Sequence, residues 1–286
     1  MCDRKPIPWP APAKLNLFLH ILGRRPDGYH ELQTCFQFVD LCDEITIEPR
    51  ADGEIRRTVE IAGIPASADL CIRAALALKE ASACPLGADI GLEKRIPVGG
   101  GLGGGSSDAA TCLVALNHLW GLNWSFEKLA SLGLELGADV PVFVHGRAAW
   151  AEGVGERLTP LYPPLAPPET NYLIVKPNVC VSTAEVFQDS ELTRNSLPIR
   201  ISGFLKSGGR NDCLAVVRRR YPEVAHALDW LSLFGAARLT GTGACVFLAC
   251  DTFDRGSEIM RKVPPGFAAF MARGLNDSPL LERLRT

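Results

Sequence analysis

The chain has 286 residues, 47% of them hydrophobic, with 30 Lys and Arg against 32 Asp and Glu for a formal net charge of −2. That length holds one large or two ordinary domains with a substantial core. The near balance of charge argues against the basic face that nucleic acid or a membrane surface would need. Ten cysteines show no C-x-x-C spacing, and the five histidines (His20, His30, His118, His145 and His226) form no H-E-x-x-H pair. Neither a disulfide framework nor a structural metal site is therefore expected. No signal-like apolar segment follows Met1-Cys2-Asp3-Arg4-Lys5, and no run reaches the roughly 18 apolar residues that a membrane span requires. A cytoplasmic protein with reduced thiols is expected, as a monomer or weak homodimer.

In chain order, Lys14 to Ile21 alternates, with Leu15, Leu17, Leu19 and Ile21 on one side of a strand and Asn16, Phe18 and His20 on the other. Pro26-Asp27-Gly28 supplies a turn. Tyr29 and His30 then head a strand running through Thr34 to Phe38, and an aromatic beside an imidazole suits a planar ring ligand. Asp43 to Glu48 and Thr58 to Ile61 read as strands, with Arg50-Ala51-Asp52-Gly53 as a hairpin turn. Asp69 to Ser82 has helical periodicity, and Ala88 to Leu92 is β-like.

The most informative stretch is Pro97-Val98-Gly99-Gly100-Gly101-Leu102-Gly103-Gly104-Gly105-Ser106-Ser107-Asp108. Glycines at this density let backbone approach a ligand closely, at an entropic cost that an ordinary loop would not justify. Ser106, Ser107 and Asp108 are N-cap candidates for a helix over Ala109 to Trp120. A glycine loop opening into a helix N-terminus is an anion site, and a phosphate chain is the anion it suits best. A dinucleotide fingerprint is excluded because the region some 20 residues on, Asn123 to Glu127, opens another helix instead of ending a strand in an acid. A P-loop is excluded because no Lys follows the last glycine. Lys94 and Arg95, just upstream, could neutralise phosphate oxygens.

Ser125 to Leu136 reads as a helix ending at Gly137. Asp139 then precedes the apolar run Val140 to Val144. A carboxylate there is costly without a cationic partner, which suggests a catalytic base, with an N-cap or turn Asp as the ordinary alternative. Ala148 to Ala151 is a strand, and five prolines between Pro160 and Pro168 mark a boundary between units 1–160 and 161–286. Tyr172 to Lys176 is a strand, a helix opens at Ser182 or Thr183, and Arg210-Asn211-Asp212 caps Cys213 to Arg220. Gly241-Thr242-Gly243 precedes the strand Ala244 to Ala249, and its glycines would let backbone come near the phosphate loop.

The P-x-G-G-G-L-G-G-G-S-S loop resembles that of the GHMP small-molecule kinases. Three further blocks carry the resemblance: Ala13-Lys14-Leu15-Asn16-Leu17 with Arg25 to His30, Leu136 to Phe143, and Leu239 to Phe247. They are most similar to the branch whose acceptor is a cytidyl-diphosphate sugar alcohol. The resemblance implies an α+β, two-domain fold: an N-terminal ribosomal-protein-like domain, a C-terminal ferredoxin-like α/β domain, and an active site in the cleft between them. It implies ATP as phosphoryl donor with Mg²⁺, a small-molecule acceptor, and no nucleic-acid or membrane partner. By the same resemblance Lys14 and Asp139 are catalytic. Pro97 to Ser107, Lys94 and Asp69 bind ATP, and Asn16, Tyr29, His30, Thr183 and Phe187 bind the acceptor; no metal ligand is assigned. Family members commonly carry Asn where this chain has Asp69, and an ionised Asp accepts but cannot donate to an adenine ring nitrogen. A homoserine or mevalonate-type acceptor is the nearest alternative, against which the Asp27-Gly28-Tyr29-His30 block argues. A non-catalytic nucleotide- or RNA-binding module is a more distant one.

Overall fold

The structure, a computed structural model, describes residues 7–60 and 65–285. Met1 to Lys5 and Ile61, both used in the reading above, lie outside them. Strands β1 (Trp9–Arg24) and β2 (His30–Arg50) form one long antiparallel pair, from Trp9↔Ile45 to Arg24↔His30, closed by the turn at Asp27–Gly28. The single-file alternation read for β1 does not hold along its length. Register slips between Asn16 and Leu19, and Phe18 packs with Leu15 and Leu17 in one core, against Trp150 and Phe204. Such a bulge reassigns every side chain after it to the other face. As a result Leu19, and not Phe18, continues the row begun by Lys14 and Asn16 along the cleft.

The hairpin expected at Arg50–Gly53 is also corrected. β3 (Ile55–Arg57) lies parallel to β4 (Gly87–Glu93), not against β2, and Thr58 to Glu60 is irregular. β4 pairs with residues 44–50 of β2, and β3 adds to the far side of β4. Between β3 and β4 comes α1 (Leu70–Ser82), opened by the Asp69 side chain accepting from the Cys71 amide at 2.9 Å. Next is α2 (Gly104–Leu119), which begins five residues before the expected start. Gly103, at φ 73°, supplies the entry and no side chain caps it. Ser106, Ser107 and Asp108 therefore sit inside the helix, correcting their expected role as caps.

The helix α3 (Phe126–Leu136) starts on Ser125, whose hydroxyl accepts from the Lys128 amide at 3.3 Å, and stops at Gly137. The apolar run after Asp139 is a short helix, α4 (Val140–His145). β5 (Ala149–Gly153) returns along β2, and β6 (Arg157–Pro160) pairs with β5. The core of this half sets Phe36, Phe38, Ile45, Ile47 and Ile90 from the strands against Ala74 and Leu78 of α1, Leu113 and Leu116 of α2, and Phe143 of α4.

The second half runs β7 (Asn171–Pro177), α5 (Thr183–Gln188), α6 (Ile201–Ser207), α7 (Leu214–Arg220) and α8 (Pro222–Ser232). It continues with β8 (Arg238–Leu239), β9 (Val246–Cys250), α9 (Phe253–Met260), β10 (Phe267–Leu275) and α10 (Pro279–Arg283). β7 lies between β9 and β10, and the end of β10 pairs with β2 through Gly274↔Val39 and Leu275↔Phe38. One sheet thus passes through both halves in the order β3-β4-β2-β10-β7-β9-β8. Leu173, Val175, Val246 and Leu248 pack on α7, α8 and α9, while Tyr172, Ile174 and Phe247 face the Leu15–Phe18 segment of β1. Among the described residues the cysteines are free thiols and no helix is long and apolar enough to cross a membrane.

Candidate active site

The glycine loop is clamped from three sides. A Cβ on Gly101, at φ 74°, would stand 2.5 Å from the Thr240 carbonyl oxygen and 2.9 Å from that of Gly243. One on Gly103 would stand 2.8 Å from the Phe143 ring. The Ala244 and Cys245 amides donate to the Gly99 and Gly100 carbonyls at 3.2 and 3.0 Å, and the Lys14 amide donates to the Leu102 carbonyl at 2.9 Å. Close approach of the Gly241–Gly243 turn to the loop is therefore a backbone-to-backbone contact. By helix geometry the first-turn amides of Gly104, Gly105 and Ser106 have no helical acceptor, so the loop delivers unsatisfied donors at the positive end of a 16-residue helix.

Two cavities flank this loop and share Gly101 and Gly103. One is bounded by Asp69, Leu70, Lys94, Pro97 to Gly105 and Asp108. The other is bounded by Lys14, Asn16, Thr34, Ser106, Asp139, Thr183, Phe187 and Thr242. Lys14 and Asp139 meet at the seam. The Lys14 ammonium, 3% exposed, is 3.2 Å from Asp139 Oδ2, donates to Asn16 Oδ1 at 2.6 Å and to the Gly101 carbonyl at 3.3 Å, and lies 5.2 Å from the Phe36 ring centre. Asp139 occupies the N-cap position of α4, yet its side chain makes no capping bond and is about one-third exposed at 32%. The capping alternative thus fails, and an ion-paired carboxylate remains open to a ligand.

Residues 69–147 match the GHMP kinases N terminal domain and residues 199–268 the GHMP kinases C terminal domain. The chain is 57% identical over 277 residues to the 4-diphosphocytidyl-2-C-methyl-D-erythritol kinase of Pseudomonas aeruginosa, covering 97% of each. The chain belongs to the 4-diphosphocytidyl-2-C-methyl-D-erythritol kinase family of GHMP kinases. The relative of that name from Nitrosococcus oceani is 56% identical over 276 residues, covering 96% of this chain and 97% of its own. A crystal structure of 4-(cytidine 5'-diphospho)-2C-methyl-D-erythritol kinase superposes with a TM-score of 0.82 at 32% identity, covering 94% of this chain and 99% of that one. A mevalonate kinase structure, at 17% identity and a TM-score of 0.67, shares the fold. The two-domain α+β GHMP architecture expected from the sequence is the one found.

Within this GHMP kinase fold the residues singled out from sequence divide into several groups. Lys14, Asn16, Asp139, Thr183 and Phe187 share one cavity. Asn16 is fixed twice, its Nδ2 donating to Thr34 Oγ1 and its amide to Thr240 Oγ1, both at 3.0 Å. Thr183 and Thr242 join hydroxyls at 2.9 Å. Pro97, Val98, Gly99, Gly100 and Gly105 line the other cavity, where Val98 is exposed. Leu102 lines it through a stretch whose side chain belongs to the core at 1% exposure, so only its backbone is available. Ser106 faces the cleft, whereas the Ser107 hydroxyl is sealed inside and unpartnered, one helical step having turned it inward.

Both charges upstream of the loop have carboxylate partners. Lys94 reaches the cavity, but its ammonium is already bonded to Asp43 and, at 2.8 Å, to Asp108. Burial pushes the Asp108 carboxyl up to about 7, and the two carboxylates raise Lys94 against the cost of its own burial. Arg95 is turned away onto Glu44 and Glu93. Asp69 is likewise engaged, with Oδ1 on the Cys71 amide and Oδ2 3.6 Å from Arg57.

Tyr29 and His30 part company. Tyr29 is 65% exposed and lines a separate depression with Leu134 to Ala138, while His30 is buried with its ring 5.2 Å from that of Phe187 at 31°. Tyr29 ends the turn and His30 begins β2, so one sequence motif serves two surfaces. The sequence reading missed Thr34, Thr240, Thr242 and Arg194. Thr240 and Thr242 flank Gly241 in a motif read only for its glycines; the other two have no local signal.

Proposed function

We propose that the protein transfers the γ-phosphoryl group of ATP to the 2-hydroxyl of 4-diphosphocytidyl-2-C-methyl-D-erythritol, giving the 2-phosphate and ADP in the non-mevalonate route to isoprenoid precursors. The observation that carries this reading is the Lys14–Asp139 pair at 3.2 Å, set where the glycine loop meets the Phe187-lined cavity. Asp139 accepts the proton as the substrate oxygen forms its bond to the γ-phosphorus and the bond to the ADP oxygen breaks. Lys14, fixed by Asn16 and the Gly101 carbonyl, offsets charge on the transferring oxygens without having to reorganise. The loop and the α2 amides hold the phosphate chain. The cavity containing Asp69, Leu70 and Lys94 takes the adenine, and His30 with Phe187 takes the cytosine.

Among the described residues no group of three or more His, Cys, Asp or Glu could hold a metal ion. Ser106 and Asp139, which both line the cleft, would be the protein oxygen donors beside a Mg²⁺ ion held chiefly by phosphate oxygens. Bound there, Mg²⁺ would neutralise phosphate charge. We further take 1–160 and 161–286 as two units of a cytoplasmic monomer or weak homodimer, which sedimentation and limited proteolysis would check. A panel of acceptors with labelled ATP tests the function itself. Transfer to the cytidyl acceptor is expected; transfer to homoserine or mevalonate in preference would overturn it.

A further inference from the structure

Arg194 lies in the segment after α5 and reaches back to the end of that helix and to His30 at the start of β2. Its Nη2 donates to the Phe187 and Asp189 carbonyls at 2.9 and 2.7 Å, its Nη1 to the Leu192 carbonyl at 3.2 Å, and its Nε to His30 Nε2 at 2.9 Å. Among the described residues no carboxylate pairs with it. A guanidinium is a permanent donor and cannot accept, so His30 Nε2 has to present its lone pair. Burial, then the positive charges of Arg194 and of Arg24 on β1, lower the His30 pKa. The ring is accordingly neutral at pH 7, with its one proton on Nδ1. Among the described residues that Nδ1 has no hydrogen-bond partner, and it is not among the fully enclosed atoms. The same guanidinium holds the Phe187 carbonyl, and so ties the end of α5, and the ring stacked beside His30, to the imidazole.

We propose that Arg194 is a positioning residue for base selection: by donating to Nε2 it fixes the His30 proton on Nδ1, so that the ring offers a donor where cytosine has a bare ring nitrogen, N3, and uracil has N–H. The opposite tautomer would offer an acceptor and favour uracil. Two donors facing each other leave both unbonded, which is the kind of mismatch that a polar site rejects most strongly. Base discrimination here presupposes the cytidyl acceptor proposed above; the tautomer of the ring does not.

Two measurements test this. In protein labelled with ¹⁵N-histidine, with His30 assigned from a His30→Asn variant, long-range ¹H–¹⁵N spectra at pH 7 should show His30 neutral and protonated at Nδ1. In Arg194→Met the same signal should move toward the Nε2–H form. A wild-type His30 that is protonated at Nε2, or doubly protonated, overturns the proposal even if every Arg194 variant fails to fold. In kinetics, Arg194→Met should lower the ratio of kcat/KM for the cytidyl over the matched uridyl acceptor by about tenfold or more. The loss should arise in KM for the cytidyl acceptor, with KM for ATP unchanged, and Arg194→Lys should restore part of it. An unchanged ratio in a variant with a native spectrum also overturns the proposal. Wild-type protein that ignores both acceptors while showing the Nδ1–H tautomer would sink the functional reading and leave the tautomer assignment standing.

Discussion

Lys14 and Asp139 make one unit, and their substitution should reflect it. Asp139→Asn keeps the shape and removes the proposed proton acceptor, so kcat should fall by about 10²–10⁴-fold while affinity for a non-hydrolysable ATP analogue stays within a few-fold. Lys14→Met should lose a similar factor, and the double variant little more than either single one, because residues acting as a unit are not additive. Turnover unchanged in Asp139→Asn would remove that residue from the mechanism. Gly101 is a separate case. Its positive φ and the Thr240 and Gly243 carbonyls at 2.5 and 2.9 Å from any Cβ leave no direction in which an alanine fits. Gly101→Ala should cost well over about 1 kcal/mol in urea unfolding and also weaken nucleotide binding. An alanine tolerated in both assays would mean the loop is not clamped as described.

The elements that build the site are set by small local devices. α3 begins on the Ser125 hydroxyl and packs beside α4, which carries Asp139 at its entrance. Ser125→Ala should therefore destabilise by about 1 kcal/mol, read as a shift of the denaturation midpoint, without changing KM for ATP. α2 has no such cap. Gly103 in the left-handed region starts it at Gly104, two residues ahead of Ser106, which leaves its first amides free of any side-chain cap. The bulge in β1 belongs here too, since by slipping register after Asn16 it places Lys14, Asn16 and Leu19 along one cleft while Phe18 joins the core behind.

Across the whole molecule, stability should depend on pH in a direction that burial dictates. Desolvation lowers the pKa of His20, His30 and His145. As pH falls below about 6.5 the unfolded chain takes up protons that these folded imidazoles resist, so stability should fall with it. Asp108 works the other way. Its carboxyl, pushed up to about 7, holds a proton that the unfolded chain has already released between about 4 and 7. Asp108→Asn should remove that offset and steepen the acid loss between pH 7 and 5.5. Denaturation midpoints of both proteins across that range check the sign, and an Asp108→Asn profile no steeper than that of the wild type would contradict it.

The local sequence determined a good deal by itself. The helix starts near Asp69, Ser125 and Ser182, the stop at Gly137 and the turn at Asp27–Gly28 all follow from backbone sterics and nearby hydrogen bonds, which need no distant partner. Family blocks at Lys14, the glycine loop and Asp139 also named the residues that converge. Tertiary structure alone decided what each of those residues faces. It placed β3 on the far side of β4 instead of on β2, and slipped β1 by a bulge that no pattern of alternation announces. It also committed Lys94 to two buried carboxylates, sent Tyr29 and His30 to different surfaces, and brought Arg194 from 164 residues away onto an imidazole. Contacts of that kind depend on which edges, faces and charges remain unfilled once the chain has packed, and that is a property of the assembled molecule.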